Sequence, residues 1–282
     1  MNGKIPNSRR NLDIAIDRIF GMDANPLQVR TLIANTIIGQ ILPKCAVKGG
    51  SALKLRYGDK TTRFTRDLDA ARSGDLNAFL EQLSASLQHG WNGFTGRIVR
   101  KEPAKPDGVP GEYVMQPFEI KLAYAGRSWL TVPLEIGHDE IGDTKIVDYY
   151  ISQEVTTIFE RLGFPAPGPI ALLQIHHQIA QKLHALSVEG SERAHDLIDL
   201  QVIVQYDTID YPLTQEACKR LFAYRKQQEW PPVITRGDGW DTLYSSQISG
   251  LEVIPDINEA VAWANNLIKA IDGAPAICCA NT

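Results

Sequence analysis

The stretch KGGSALKLRYGDKTTRFTRDLDA, residues 48–70, limits the folds open to this chain more than any other. CAVKG reads as a short strand, SALKLRYG as a helix opening at Ser51, and RFTRDLDAAR as the next strand. The order is therefore strand, glycine turn, helix, strand. Two adjacent glycines let the backbone approach a ligand that any side chain would hold off. The free N–H groups at the start of the following helix, reinforced by its dipole, favour a phosphate there. Gly49, Gly50 and Ser51 are thus candidate nucleotide-binding residues. Ser51 adds a hydroxyl donor in this reading, and a simple helix cap is the alternative.

In a strand, alternate side chains share a face, so Asp67 and Asp69 emerge together while Arg66, Leu68 and Ala70 point the other way. Two carboxylates that close repel unless a cation or a shared proton compensates. Hard oxygen ligands on one face suit Mg²⁺, or Mn²⁺, held jointly with substrate phosphates. Taken alone, an acid pair on a strand also fits a salt-bridged surface. A third acid appears in WLTVPLEIG, where Leu130, Val132, Leu134 and Ile136 occupy one parity and Glu135 the other. Glu135 therefore stands where a further ligand or a base is expected, or as an ordinary exposed acid on a half-buried strand.

The remaining pattern divides the chain near residue 145. Before it, helices are predicted over 10–20, 26–42 and 75–89 and strands over 95–101, 112–124 and 128–136, with PAKPDGVPG as a hairpin-like loop. After it come helical patterns over 169–188, 192–206, 214–228 and 256–272. The expectation is an α+β fold: a mixed α/β domain over 1–145 and a helical domain over 146–282 that completes a nucleotide-binding cleft. A length of 282 residues accommodates two such units.

Two features of the helical half stand out. In IALLQIHHQIAQKLHALSVEG, Lys182 falls within the stripe of Ile175, Ile179 and Leu186, so its ammonium either snorkels outward or enters a cleft. In RAHDLIDL, Arg193, Asp196 and Asp199 recur every three residues on an otherwise apolar helix. Buried acids of that kind pair with a cation, and Lys182 and Arg193 are the candidates.

Other chemistries are excluded. His176 and His177 have Ala180 and Gln181 at the four-residue offset, so the helical zinc pattern is absent. No G-x-S-x-G elbow and no P-loop occurs. Cys45, Cys218, Cys278 and Cys279 lack metal-ligand spacing, and the vicinal pair sits in a C-terminal tail expected to be mobile. With no secretory leader and no apolar run of bilayer length, a reducing cytoplasm and no membrane are expected. The net charge of −4 argues against a protein that coats nucleic acid. Residues 44–72, however, carry eight basic side chains against three acids, a patch that either steers polyphosphate or RNA or is a solvated charged face.

Taken in order, KGGSALKLRYG, RFTRDLDA, PLEIG, QKLHAL and RAHDLIDL, spread over about residues 44–206, resemble the AbiEii/AbiGii nucleotidyltransferase toxins. That family includes the MenT toxins and belongs to the DNA polymerase β-like nucleotidyltransferases. The resemblance implies a nucleotidyltransferase-like mixed sheet with flanking helices. It implies catalysis by Asp67, Asp69, Glu135, Lys182 and Asp196, with Asp67, Asp69 and Glu135 holding metal. Gly49, Gly50, Ser51, Arg66 and Lys182 would bind the nucleotide, and Asp196 or Asp199 would be the functional acid of the later helix. The substrate would be an NTP, the acceptor an RNA such as a tRNA 3′ end, and the regulator a separately encoded antitoxin. Nucleotidylation of a protein hydroxyl and a non-catalytic nucleotide-binding regulator are the alternatives. The chain departs from the family pattern at Thr65, where serine is frequent, at His195, where lysine is usual, and in the fifteen residues between Ser51 and Asp67.

Overall fold

The computed structural model describes residues 4–21, 25–103 and 114–275. Most of the PAKPDGVPG loop, the first two residues of the strand expected over 112–124, and the Cys278–Cys279 tail lie outside the described residues. The chain forms two compact units, Met1–Asp59 with Phe64–Leu173, and Lys60–Arg63 with Gln174–Thr282.

The first unit is built on a mixed seven-stranded sheet. Its strands are β1 (Ala46–Lys48), β2 (Leu68–Arg72), β3 (Phe94–Arg100), β4 (Gln116–Tyr124), β5 (Arg127–His138), β6 (Asp148–Tyr150) and β7 (Ile170–Leu172), in the order β3-β4-β5-β2-β1-β7-β6. β2 lies antiparallel to β1 and parallel to β5. The β4–β5 hairpin closes through Ala125 and Gly126, both at positive φ, as a tight two-residue turn demands. One face of the central strands carries Val47, Leu68, Ala70, Val132, Leu134 and Ile136 into the core.

The helices of this unit are α1 (Arg9–Phe20), α2 (Pro26–Ile41), α3 (Gly49–Tyr57), α4 (Leu76–His89) and α5 (Gln153–Arg161). Sequence chemistry sets their ends. Ser8, Asn25, Asp75 and Ser152 cap α1, α2, α4 and α5 by accepting first-turn N–H groups, and Gly90 ends α4 at positive φ. Phe79, Leu83 and Leu87 recur every four residues on the buried face of α4.

The helix expected over 169–188 begins instead at Ile175, because Ile170–Leu172 is a strand. Pro165, Pro167 and Pro169 bar helix upstream, and Leu172 pairs with Val47 of β1 while the Leu173 N–H donates to the Val47 carbonyl. With β6 and α5, which have no counterpart in the sequence reading, this segment belongs to the sheet unit. The first unit therefore runs to Leu173 rather than ending near residue 145. A three-residue strand is too short to display a period.

The second unit contains α6 (Ile175–Ser187), α7 (His195–Tyr206), α8 (Tyr211–Arg225), α9 (Trp240–Ser245) and α10 (Ile257–Asp272). Leu183, Leu197, Leu200, Leu221, Trp240 and Ala264 are buried in it. Among the described residues no helix is long and apolar enough to cross a membrane.

Candidate active site

β1 runs directly into the glycine turn. Gly49 adopts φ +65°, and a Cβ placed there would stand 2.5 Å from Oδ2 of Asp69. The bare turn and the acidic strand are thus packed on each other, at a spacing where an added side chain would have to displace the Asp69 carboxylate. Helix α3 starts at Gly49, not at Ser51 as expected, and its cap residue Lys48 makes no side-chain capping bond. The first-turn N–H groups are left for a ligand, the arrangement that favours an anion.

Ser51 has a different task from the one expected. It is buried, its hydroxyl donates to the Asp67 carbonyl at 2.5 Å, and it accepts from the Asn35 amide at 3.1 Å. Its one donor is spent on fixing the acidic segment to α3, which leaves backbone N–H groups as the donors that the turn could offer an anion. Asn35, buried on α2, had no signal in the sequence beyond its place on an apolar helix.

Asp69 sits at the centre of a row across three strands. It pairs with Lys48 of β1 on one side and with Glu135 of β5 on the other. Paired residues in neighbouring strands share a face about 5 Å apart, so the Asp69 and Glu135 carboxylates are adjacent. Their neighbours Leu68, Ala70, Leu134 and Ile136 are buried on the opposite face. Asp67 precedes β2 and is oriented by the Thr65 hydroxyl, which donates to its Oδ1 at 3.0 Å. Arg66 is exposed, its guanidinium 6.0 Å from the Phe64 ring centroid.

Much of the basic patch is already neutralised. Lys54 is buried against Asp59 at 2.5 Å, Arg56 meets Asp148 at 2.6 Å, and Arg63 meets Asp199 at 2.9 Å. These cations hold the fold, which accounts for part of a charge excess that the sequence offered as a steering surface.

In the second unit, Lys182 donates to Asp196 Oδ1 at 2.8 Å and to Asp199 Oδ2 at 2.6 Å. Arg193 Nε donates to the other oxygen of Asp196 at 2.9 Å, and Arg63 grips Asp199 with two bonds of 2.9 Å. Burial opposes ionisation of both acids. The adjacent Lys182, then Arg193, nonetheless holds the Asp196 carboxyl below its ordinary range, and Arg63, then Lys182, does the same for Asp199. Both acids are structural counter-ions of Lys182. Arg63 was invisible as a member because it lies more than a hundred residues away in sequence. Burial pushes the neighbouring His195 down to about 4, so the imidazole is neutral beside the network.

With this geometry in place, comparison with known proteins decides the family. The model of the nucleotidyl transferase AbiEii toxin family, type IV toxin–antitoxin system, matches residues 30–266. The chain belongs to the AbiEii family.

The AbiEii fold is also seen in MenT4, the nucleotidyltransferase toxin Rv2826c from Mycobacterium tuberculosis H37Rv. At 15% identity it superposes with a TM-score of 0.60 over 94% of this chain and 90% of that one. JHP933 from Helicobacter pylori matches at 18% identity and a TM-score of 0.44, over 86% of this chain and 89% of that one. No curated protein sequence matches. As an AbiEii member the chain is a nucleotidyltransferase, and the non-catalytic reading falls away.

Does the AbiEii site fit a divalent ion? Among the described residues no group of three or more His, Cys, Asp or Glu is assembled to hold one. Mg²⁺ does not require such a cage. It keeps waters and uses one or two carboxylates with substrate phosphates. Asp69 and Glu135, in register and facing the same way, supply that donor set beside the phosphate-ready turn, and the residues present fit the ion.

Proposed function

We propose that this AbiEii protein is a metal-dependent toxin that transfers NMP from an NTP to an RNA acceptor, with a tRNA 3′ end as the model acceptor. The observation that carries the reading is the packing of Gly49 on Asp69, with Glu135 in register beside it. The first-turn N–H groups of α3 donate to the terminal phosphates of the nucleotide. Asp67, Asp69 and Glu135 would hold Mg²⁺ or Mn²⁺. Such an ion, when bound, neutralises the charge that develops on the phosphates. The acceptor hydroxyl oxygen forms a new bond to the α-phosphorus as the bond to the bridging oxygen breaks, and pyrophosphate leaves in line. Glu135 serves either as a ligand of that ion or as the base that takes the proton of the acceptor hydroxyl.

Arg66 is a solvent-side cation for the same phosphates in this reading, while Lys182 is held by Asp196 and Asp199. An NTP and a tRNA as substrates place the reaction in the cytoplasm, and a type IV system pairs it with a separately encoded antitoxin.

The test is incubation with each labelled NTP, Mg²⁺ and either total tRNA or total protein. The expected result is label in RNA, absent with Asp69→Asn. Label confined to protein would move the acceptor to a side-chain hydroxyl.

A further inference from the structure

The row Lys48, Asp69, Glu135 contains one cation that neither the family motifs nor the reaction above assigns. Lys48 is paired with Asp69 and shares its face. Its side chain does not stop there. The Nζ atom lies 3.5 Å from the point where a Cβ on Gly137 would stand, and Gly137 pairs with Ala71, two residues farther along the strands than the Asp69–Glu135 pair. The glycine turn lies on the other side, where the missing side chain of Gly49 falls against Asp69. Along the sheet the order is glycine turn, carboxylate pair, ammonium.

Lys54, Arg56, Arg63 and Lys182 are all spent in ion pairs. The Lys48 ammonium makes no hydrogen bond or ion pair among the described residues. Its charge acts on Asp143 and His138. A half-buried ammonium beside a catalytic face suits an anion that arrives with a substrate. In-line transfer then fixes which substrate. Pyrophosphate departs on one side of the α-phosphorus and the hydroxyl attacks from the opposite side. If the nucleotide's tail lies at the glycine turn, the acceptor enters from the side of Lys48.

We propose that Lys48 binds the acceptor: its ammonium takes a non-bridging oxygen of the last internucleotide phosphate of a single-stranded RNA end and so sets the terminal hydroxyl over the carboxylates. The assignment rests on the RNA-transfer reading above. A protein hydroxyl carries no neighbouring phosphate and would gain nothing from Lys48.

The test uses the full chain as wild type, Lys48→Met and Lys48→Arg. The acceptor is a short RNA whose last linkage is either a phosphodiester or an uncharged methylphosphonate. Binding without NTP is read by fluorescence anisotropy across salt, and transfer by labelled NTP with Mg²⁺. Loss of one charge-assisted contact weakens RNA binding and raises the acceptor KM about tenfold. The salt slope falls by about 0.7, while the KM for NTP stays within about twofold. Lys48→Arg restores most of the affinity. The methylphosphonate weakens wild type to the same degree and leaves Lys48→Met unaffected; should that variant fail to fold, the effect on wild type alone decides.

Unchanged acceptor affinity in Lys48→Met, or a rise in the KM for NTP instead, overturns the assignment while RNA transfer by wild type stands. If wild type labels no RNA, the functional reading fails and the role of Lys48 with it.

Discussion

A Cβ on Gly49 would lie 2.5 Å from Oδ2 of Asp69, and this close approach ties the glycine turn to the acidic strand. The glycine is required twice, by its φ of +65° and by the carboxylate against it.

Gly49→Ala therefore displaces Asp69 or the turn. The left-handed conformation alone costs about 1–2 kcal/mol, so a melting temperature a few degrees lower is expected. Transfer falls about a hundredfold or more, since a misplacement of 1 Å at a reacting centre has that effect. A variant with wild-type kcat/KM would show that the contact is incidental.

Asp69→Asn separates chemistry from stability. Asp69 is half-buried on the solvent side of β2, and the core depends on Leu68 and Ala70. Circular dichroism and the melting temperature should match wild type while transfer is lost. Unfolding of this variant would place Asp69 among the residues that hold the sheet together.

Lys182 offsets two buried carboxylates, so Lys182→Met leaves Asp196 and Asp199 short of a partner. Removing one member of a buried ion group costs about 3–5 kcal/mol. Denaturant titration should show a loss of that size. Arg63→Met combined with Asp199→Leu should lose less than the sum of the two single variants, because the acid and its bidentate partner leave together. Strict additivity would contradict a shared network.

Asp143 introduces a pH dependence. Burial first, then a proton shared with Asp139 and the charge of that neighbour, push its carboxyl up to about 7. A raised folded-state value means that the stability it contributes is complete below the unfolded value near 4 and is lost as pH rises through about 7. The wild-type melting temperature should therefore decline from pH 4 to pH 7 relative to that of Asp143→Asn, whose amide keeps a donor towards Asp139 without acquiring charge. Parallel curves for the two proteins would remove Asp143 as the cause.

Part of this was legible in the sequence. The helix opening at Asp75 and the four-residue spacing of Phe79, Leu83 and Leu87 are local signals that the structure follows. The alternation that set Glu135 against Leu134 and Ile136 likewise predicted its face, because parity is fixed within one strand. What escaped depends on partners distant in the chain. Ser51 looked like a cap or a phosphate donor until Asn35 and the Asp67 carbonyl took up its hydroxyl. Lys54, Arg56 and Arg63 looked like one basic patch until Asp59, Asp148 and Asp199 met them. The strand at Ile170–Leu172 exists because Val47 is there to pair with it.

The central claim is that the Asp69–Glu135 face turns over a nucleotide held at the Gly49 turn. Its most direct test is pyrophosphate release by the full chain supplied with NTP, total tRNA and Mg²⁺, compared with Asp69→Asn and with chelator. Release by wild type alone, stoichiometric with label gained by RNA, is the predicted result; release that persists in Asp69→Asn or in chelator would contradict it.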